Sequence, residues 1–258
     1  MEGVFISPEK RGAHDISLLH APDEGFLERY ADVIRIMVCA PELYPDFVSQ
    51  CVSKGIVASM GHTNATYALA MEGVRQGISQ ATHLFNAMRG LNHREPGVAG
   101  AALVSDSVRA ELIADTMHVS GLLFPLIYRC KGPDRILLIT DSSIAAGMGP
   151  GVYRSNNRTI YVDESIGRLE NGTISGSVLP LRRGVANFNR CAGAPLWECV
   201  RMASLNPARA LGLDREVGSL RVGKRTNMFL ADDQLNVEKT FIGGKCVYGG
   251  ADIATIGL

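Results

Sequence analysis

Residues 55–84 read GIVASMGHTNATYALAMEGVRQGISQATHL, and this stretch decides the fold. It begins with a short apolar run, "GIVASM" (55–60), that stops at Gly61-His62. "ATYALAMEGVRQG" follows with apolar residues at helical spacing and ends at Gly77, a common helix stop. A second apolar run, "GISQATHL" (77–84), contains His83. Strand, helix, strand, with a histidine after each strand, is one unit of a parallel α/β fold.

The same unit recurs on both sides. "VIRIMVCA" (33–40), "VRAELIAD" (108–115) and "RILLIT" (135–140) read as further buried strands, and "YPDFVSQCVSKG" and "SGLLFPLIYRCKG" as helices. Strands with few polar interruptions, alternating with helices, indicate a parallel sheet covered on both faces. Two architectures fit, a TIM-type barrel and a doubly wound sheet. After Asp141 the pattern changes. "RTIYVDESIGRLENGTISGS" reads as an extended hairpin region with a turn at Asn171-Gly172, and helical stretches follow at 178–191 and 195–212. The tail, from "GSLRVGKRTNMFLADD" to "TFIGGKCVYGG", reads as strands and turns of a small β layer.

Composition narrows the function classes. The 258 residues carry 26 basic and 26 acidic side chains, for a net charge of zero. Bulk charge therefore gives no reason to expect nucleic acid or an anionic membrane as partner. The six cysteines form no CxxC pair, so reduced thiols in a cytoplasmic protein fit better than a zinc knuckle or a disulfide scaffold. No apolar run reaches the roughly 18–20 residues needed to span a bilayer.

Polar residues gather where the strands stop. The runs lead into Glu42, His62, His83, Asp115 with His118, and Asp141. Parallel α/β folds place their active sites at these C-terminal strand ends. One histidine after a strand is more often structural than a ligand, and one aspartate is often a helix cap. Several at one topological level are harder to dismiss. His62 and His83 on neighbouring strand ends can share a divalent cation, but two imidazoles leave a site incomplete and call for a carboxylate. Asp141 suits proton transfer, taking a proton from water at a bound metal and passing it to a leaving group, with a cap or further ligand as the alternative. "FNAMRGLNHREPGVAG" (85–100) is a long loop at the same level. Its Arg94 suits an anionic group, or equally a salt bridge to Glu95.

With these residues in place, the chain resembles the N-acetylglucosamine-6-phosphate deacetylase family of the metal-dependent amidohydrolases. "GHTNAT", "ATHLFNAMRGLNHREPG", "IADTMHV", "LLITDSS" and "GTISGS" carry the resemblance in order. "EGVFISPEKRGAH" resembles the family's Glu-Gly segment and Gly-x-His. "SLNPARALGL" with "GSLRVGK" resembles its last helix and its return into a small β-sandwich. The resemblance implies a TIM-type (β/α)8 barrel, partial over 1–212, with strands of a small β-sandwich over 213–258.

It also implies roles. Glu2, otherwise a solvated charge near a chain end, becomes with His62 and His83 a ligand of one divalent metal. Zinc suits that set best, with iron, manganese and cobalt as alternatives. Asp141 becomes general base and then general acid, and His118 contacts the sugar and polarises the amide. Asn86, Ala87 and Arg94 bind the substrate, Arg94 through its phosphate. Ala13, His14 and the turn of Ile174, Ser175, Gly176 and Ser177 line the sugar site. The expected reaction releases acetate and glucosamine 6-phosphate. The expected partners are a phosphorylated amino sugar and a second copy of the chain. The galactosamine epimer, another amidohydrolase reaction and a non-catalytic remnant stand as alternatives.

The chain departs from the family in three ways. Val4 replaces the usual proline, and Thr116 stands where glycine is usual. The family carries a longer front with a His-x-His on its first barrel strand, and this chain has no His-x-His. Five complete strands cannot close an eight-stranded barrel. The expectation is thus a partial sequence, poorly soluble or inactive alone unless something covers the open edge.

Overall fold

A computed structural model describes residues 1–155, 158–163 and 166–249. Residues 164–165 of the expected hairpin region and 250–258 of the expected sandwich segment lie outside the described residues.

The five expected strands are present, each shorter than its apolar run. They are β1 (Ile36–Cys39), β2 (Val57–Met60), β3 (Gln80–Ala81), β4 (Arg109–Ile113) and β5 (Ile136–Ile139). They form one parallel sheet in the order β1-β2-β3-β4-β5. β3 is only two residues long, yet its flanks stay paired. Ser79 N donates to Ala58 O at 3.1 Å, and Thr82 N to Met60 O at 2.9 Å.

The helices are α1 (Phe26–Tyr30), α2 (Pro45–Ser53), α3 (Tyr67–Arg75), α4 (Gly97–Val104), α5 (Phe124–Lys131), α6 (Leu181–Ala192), α7 (Leu196–Ala203) and α8 (Leu205–Ala210). Their ends follow local chemistry. The Thr66 hydroxyl caps α3 by accepting from Leu69 N at 3.3 Å, and α6 ends at Gly193 with φ 66°. Two sequence expectations need correction. The loop read over 85–100 stops at Pro96, because Gly97–Val104 is helical. Seven of those eight residues are buried, so α4 lacks the polar face that marks a surface helix. The single helix expected over 195–212 breaks at Ser204. Pro207 there has no N–H to offer the Ala203 carbonyl, so the chain restarts as α8.

Between β5 and α6 lies a four-stranded antiparallel sheet of β6 (Gly151–Ser155), β7 (Arg158–Val162), β8 (Ile166–Arg168) and β9 (Ile174–Ser177). The expected Asn171-Gly172 turn joins its last two strands, with Gly172 at φ 83°. A parallel bridge between Ser142 and Ser177 fastens this sheet to the chain just past β5. The tail forms a three-stranded antiparallel sheet of β10 (Met228–Ala231), β11 (Val237–Ile242) and β12 (Lys245–Tyr248).

The core lies between the parallel sheet and its helices, where Met37, Cys39, Ala58, Met60, Ala81, Ala110 and Leu112 are buried. Burial pushes the Cys51 thiol up to about 12, in keeping with an unreactive core position. Phe5 is almost fully buried and meets Phe26 and Phe47 edge-on at 4.9 Å each. A buried phenylalanine is worth roughly 1.5–3 kcal/mol, so Phe5 anchors the segment that carries Glu2. That segment has no assigned strand but runs along β1. Val38 N donates to Met1 O at 2.9 Å, and Ala40 N to Phe5 O at 3.0 Å. A lysine sits inside the core region. Lys131 is 1% exposed, and its Nζ donates to Ala102 O at 2.7 Å and Ser105 O at 2.6 Å, at the end of α4. No helix among the described residues is long and apolar enough to cross a membrane.

Candidate metal centre and active-site cavity

The chain turns sharply where β2, β3 and β5 end. His62, His83 and Asp141 have φ of 47°, 34° and 47°. Few residues other than glycine adopt this left-handed conformation. Each is held by backbone bonds on its carbonyl. His62 O accepts from Ser7 N at 2.8 Å, His83 O from Asn86 N at 2.9 Å, and Asp141 O from Ser177 N at 2.7 Å.

Three potential ligands converge. Glu2 Oε1 lies 2.8 Å from His62 Nε2 and 3.2 Å from His83 Nε2, and the two Nε2 atoms are 3.0 Å apart. Four-coordinate zinc with ligands at about 2.0–2.1 Å separates neighbouring ligand atoms by roughly 3.3 Å, so small outward shifts would accommodate an ion. His62 Nδ1 lies 2.8 Å from Lys10 O, an acceptor. A proton on Nδ1 would satisfy that contact and, once an ion replaces the Nε2–Glu2 hydrogen bond, leave the Nε2 lone pair to bind metal.

The electrostatics also fit a cation. Burial pushes the Glu2 carboxyl up, but hydrogen bonds with His14, His62 and His83 overcome it and hold the group ionised far below the usual carboxylate range. Burial pulls His83 down, yet the hydrogen bond with Glu2 and the charges of Glu2, Asp141 and Glu111 leave it raised. Carboxylates that draw a proton onto a buried imidazole mark a place where positive charge is stabilised. Among the described residues, Glu2, His62 and His83 are the group able to hold a metal ion. The donor set therefore fits a divalent cation.

A cavity of about 550 Å³ opens above this cluster. Asp141 and His118 lie on its wall together with Ala13, His14, Asn86, Ala87, Ile174, Ser175 and Gly176. His118 Nδ1 pairs with Asp115 Oδ2 at 2.6 Å. Asp115 Oδ1 accepts from the N–H groups of Met117 and His118, both at 2.8 Å. Burial raises the Asp115 carboxyl, but the hydrogen bonds with His118 and these N–H groups bring it below its ordinary value. The ring is thus held by a charged partner, with Nε2 as its remaining donor or acceptor. Thr116, inside this turn, has φ 69°.

Two residues implied by the resemblance do not line the cavity. Arg94 is exposed on the loop before α4, its N–H bonded to Asn92 Oδ1 at 3.0 Å. Nor is it bonded to Glu95, whose Oε1 accepts from Tyr67 N at 2.7 Å and Gly97 N at 3.0 Å. Ser177 is fully buried, and its hydroxyl points to Thr140 O. Sequence reasoning also missed residues the cavity contains. Arg158 lines it from β7 and donates through Nη1 to Ala13 O. A basic residue in a hairpin, 145 positions from its partner, leaves no pattern to read.

The amidohydrolase family profile matches residues 38–247. A curated N-acetylglucosamine-6-phosphate deacetylase from Lysinibacillus sphaericus is 34% identical over 95% of this chain and 65% of its own. A curated N-acetylgalactosamine-6-phosphate deacetylase from Escherichia coli O157:H7 is 33% identical over 95% of this chain and 66% of its own. Among solved structures, a D267A variant of the N-acetyl-D-glucosamine-6-phosphate deacetylase from Mycobacterium smegmatis, in complex with N-acetyl-D-glucosamine-6-phosphate, is 36% identical. It superposes with a TM-score of 0.90, covering 95% of this chain and 67% of that one. The chain thus spans about two thirds of the length of these relatives.

Proposed function

The chain belongs to the amidohydrolase family, and on that premise we propose that it serves metal-dependent hydrolysis of the acetamide of N-acetylglucosamine 6-phosphate in the cytoplasm. The products are acetate and glucosamine 6-phosphate. In this reading, residues 1–212 belong to a TIM-type barrel and 213–258 to a small β-sandwich. The observation that carries it is the convergence of Glu2, His62 and His83 in a cavity whose wall holds Asp141 and His118.

Glu2 Oε1, His62 Nε2 and His83 Nε2 hold the metal, zinc by the chemistry of the donors. A divalent cation there supplies Lewis acidity for the carbonyl and a lowered pKa for water. Asp141 takes the proton from the attacking water and returns it to the departing amine. His118, fixed through Nδ1 by Asp115, turns Nε2 toward the oxygen on which negative charge develops. Ala13, His14, Asn86, Ala87 and the Ile174–Gly176 turn hold the sugar. Arg94, on the exposed loop before α4, meets the phosphate.

Metal content of purified protein tests the centre. Glu2→Gln, His62→Asn and His83→Asn should each lower bound metal at least tenfold, and full metal content in all three removes the assignment. The E. coli relative makes the galactosamine epimer the second reading. Release of acetate from the two 6-phosphate sugars, compared by kcat/KM, separates them. Turnover of neither by metal-loaded protein counts against both.

A further inference from the structure

The antiparallel sheet β6–β9 does more than border the cavity. Asp141 sits in the left-handed region with φ 47°, a conformation that persists only where its surroundings enforce it. β9 supplies that enforcement. Ser177 N donates to Asp141 O at 2.7 Å, and Ser177 O accepts from Ser143 N at 2.9 Å, so the two backbone bonds bracket the aspartate. The Ser177 hydroxyl donates to Thr140 O, the carbonyl of the peptide unit that precedes Asp141, and accepts from Leu179 N at 3.3 Å. Ser177 is fully buried and its hydroxyl is committed on both sides, so it has no surface with which to touch a substrate.

The neighbouring glycine shows how closely the strand is pressed. Gly176 has φ 72°, and a Cβ added there would stand 2.9 Å from Asp141 O and 3.0 Å from Ser143 N. The same sheet is also tied through β7, where Arg158 Nη1 bonds Ala13 O.

We propose that Ser177 is a positioning residue, whose backbone and hydroxyl bonds to Thr140, Asp141 and Ser143 hold the Asp141 carboxyl toward the metal ligands. The idea deepens the proposed function and rests on Asp141 as the proton carrier. A misplacement of about 1 Å at a reacting group can cost about 100-fold in rate.

The test compares Ser177→Ala and Ser177→Thr with the parent in the metal-loaded full chain. Ser177→Ala should lower kcat for deacetylation about 10- to 100-fold with KM within about twofold. Amide exchange over residues 140–144 should quicken at least tenfold, while peptides from β1 and β2 keep their protection. Ser177→Thr, which retains the hydroxyl, should recover most of both. Gly176→Ala keeps the hydroxyl but drives a Cβ against Asp141 O, and it should reproduce the local exchange change if Ser177→Ala does not fold. Parent-like kcat together with unchanged exchange at 140–144 overturns the proposal. So does an exchange change spread evenly over the chain. If the parent itself deacetylates neither sugar, the functional reading fails, and the exchange measurements alone decide the role of Ser177.

Discussion

Raising the pH should strengthen this fold through one side chain, Lys131. Its ammonium is buried against the end of α4, bonded to Ala102 O and Ser105 O. Burial, followed by the like charge of Arg135, lowers its pKa from 10.5 to about 8. Between those values the folded chain binds fewer protons at this site than the unfolded chain, so stability rises with pH across that window. Below about pH 8 both states are charged and the folded state bears the full desolvation cost. Above 10.5 both are neutral and the cost is gone. At 1.36 kcal/mol per pH unit of displacement, the gain is roughly 3 kcal/mol. Lys131→Met provides the reference. It keeps the aliphatic stem and removes the titration, while the loss of two carbonyl partners costs a pH-independent amount of about 1–3 kcal/mol. Urea unfolding of both proteins from about pH 7.5 to 10.5 isolates the effect, because every other group cancels in the difference. The parent should gain about 3 kcal/mol on the variant over that range. A flat difference would mean that water reaches Nζ. A falling one would mean that the α4 carbonyls favour the ammonium more than burial penalises it. Either refutes the reasoning.

Asp141→Asn should retain bound metal and lose several orders of magnitude in kcat, and near-normal turnover would remove Asp141 as the base. Arg94→Ala should raise KM for the 6-phosphate sugar far more than for the unphosphorylated sugar; equal changes for the two would place the phosphate elsewhere, with Arg158 the next cation to test. Thr116→Gly relieves a β-branched residue at φ 69°, a strain of about 1–2 kcal/mol offset by about 0.5–1 kcal/mol of glycine entropy. The variant should melt about 1–3 °C higher, and a lower Tm would show that the threonine makes a contact worth more than its strain.

The strands and the histidines behind them were legible because each signal is local. An apolar run that stops at Gly61-His62 or at Asp141 announces a strand end whatever else the chain does. α4 was not legible, since a helix buried all round has no period to detect and Pro96 and Gly97 read as loop. Glu2 needed the family resemblance, because a carboxylate sixty residues from His62 shares no pattern with it. Ser177 and Arg158 depend on how an antiparallel sheet folds back over the strand ends. Their neighbours in the sequence say nothing of Asp141 or Ala13. Thr116 was visible as a departure from the family pattern, and the left-handed turn at that position gives the departure its physical meaning.

His62, His83 and Asp141 occupy a backbone conformation that glycine adopts more easily than they do. Folding alone would therefore favour glycine at all three positions, and only their chemistry argues against it. The two demands pull in opposite directions at the same codons. In a lineage released from the reaction, these should be among the first positions to drift, and the drifted proteins should be harder to unfold. Among relatives of this chain, glycine behind β2, β3 or β5 would then mark a fold that has outlived its catalysis.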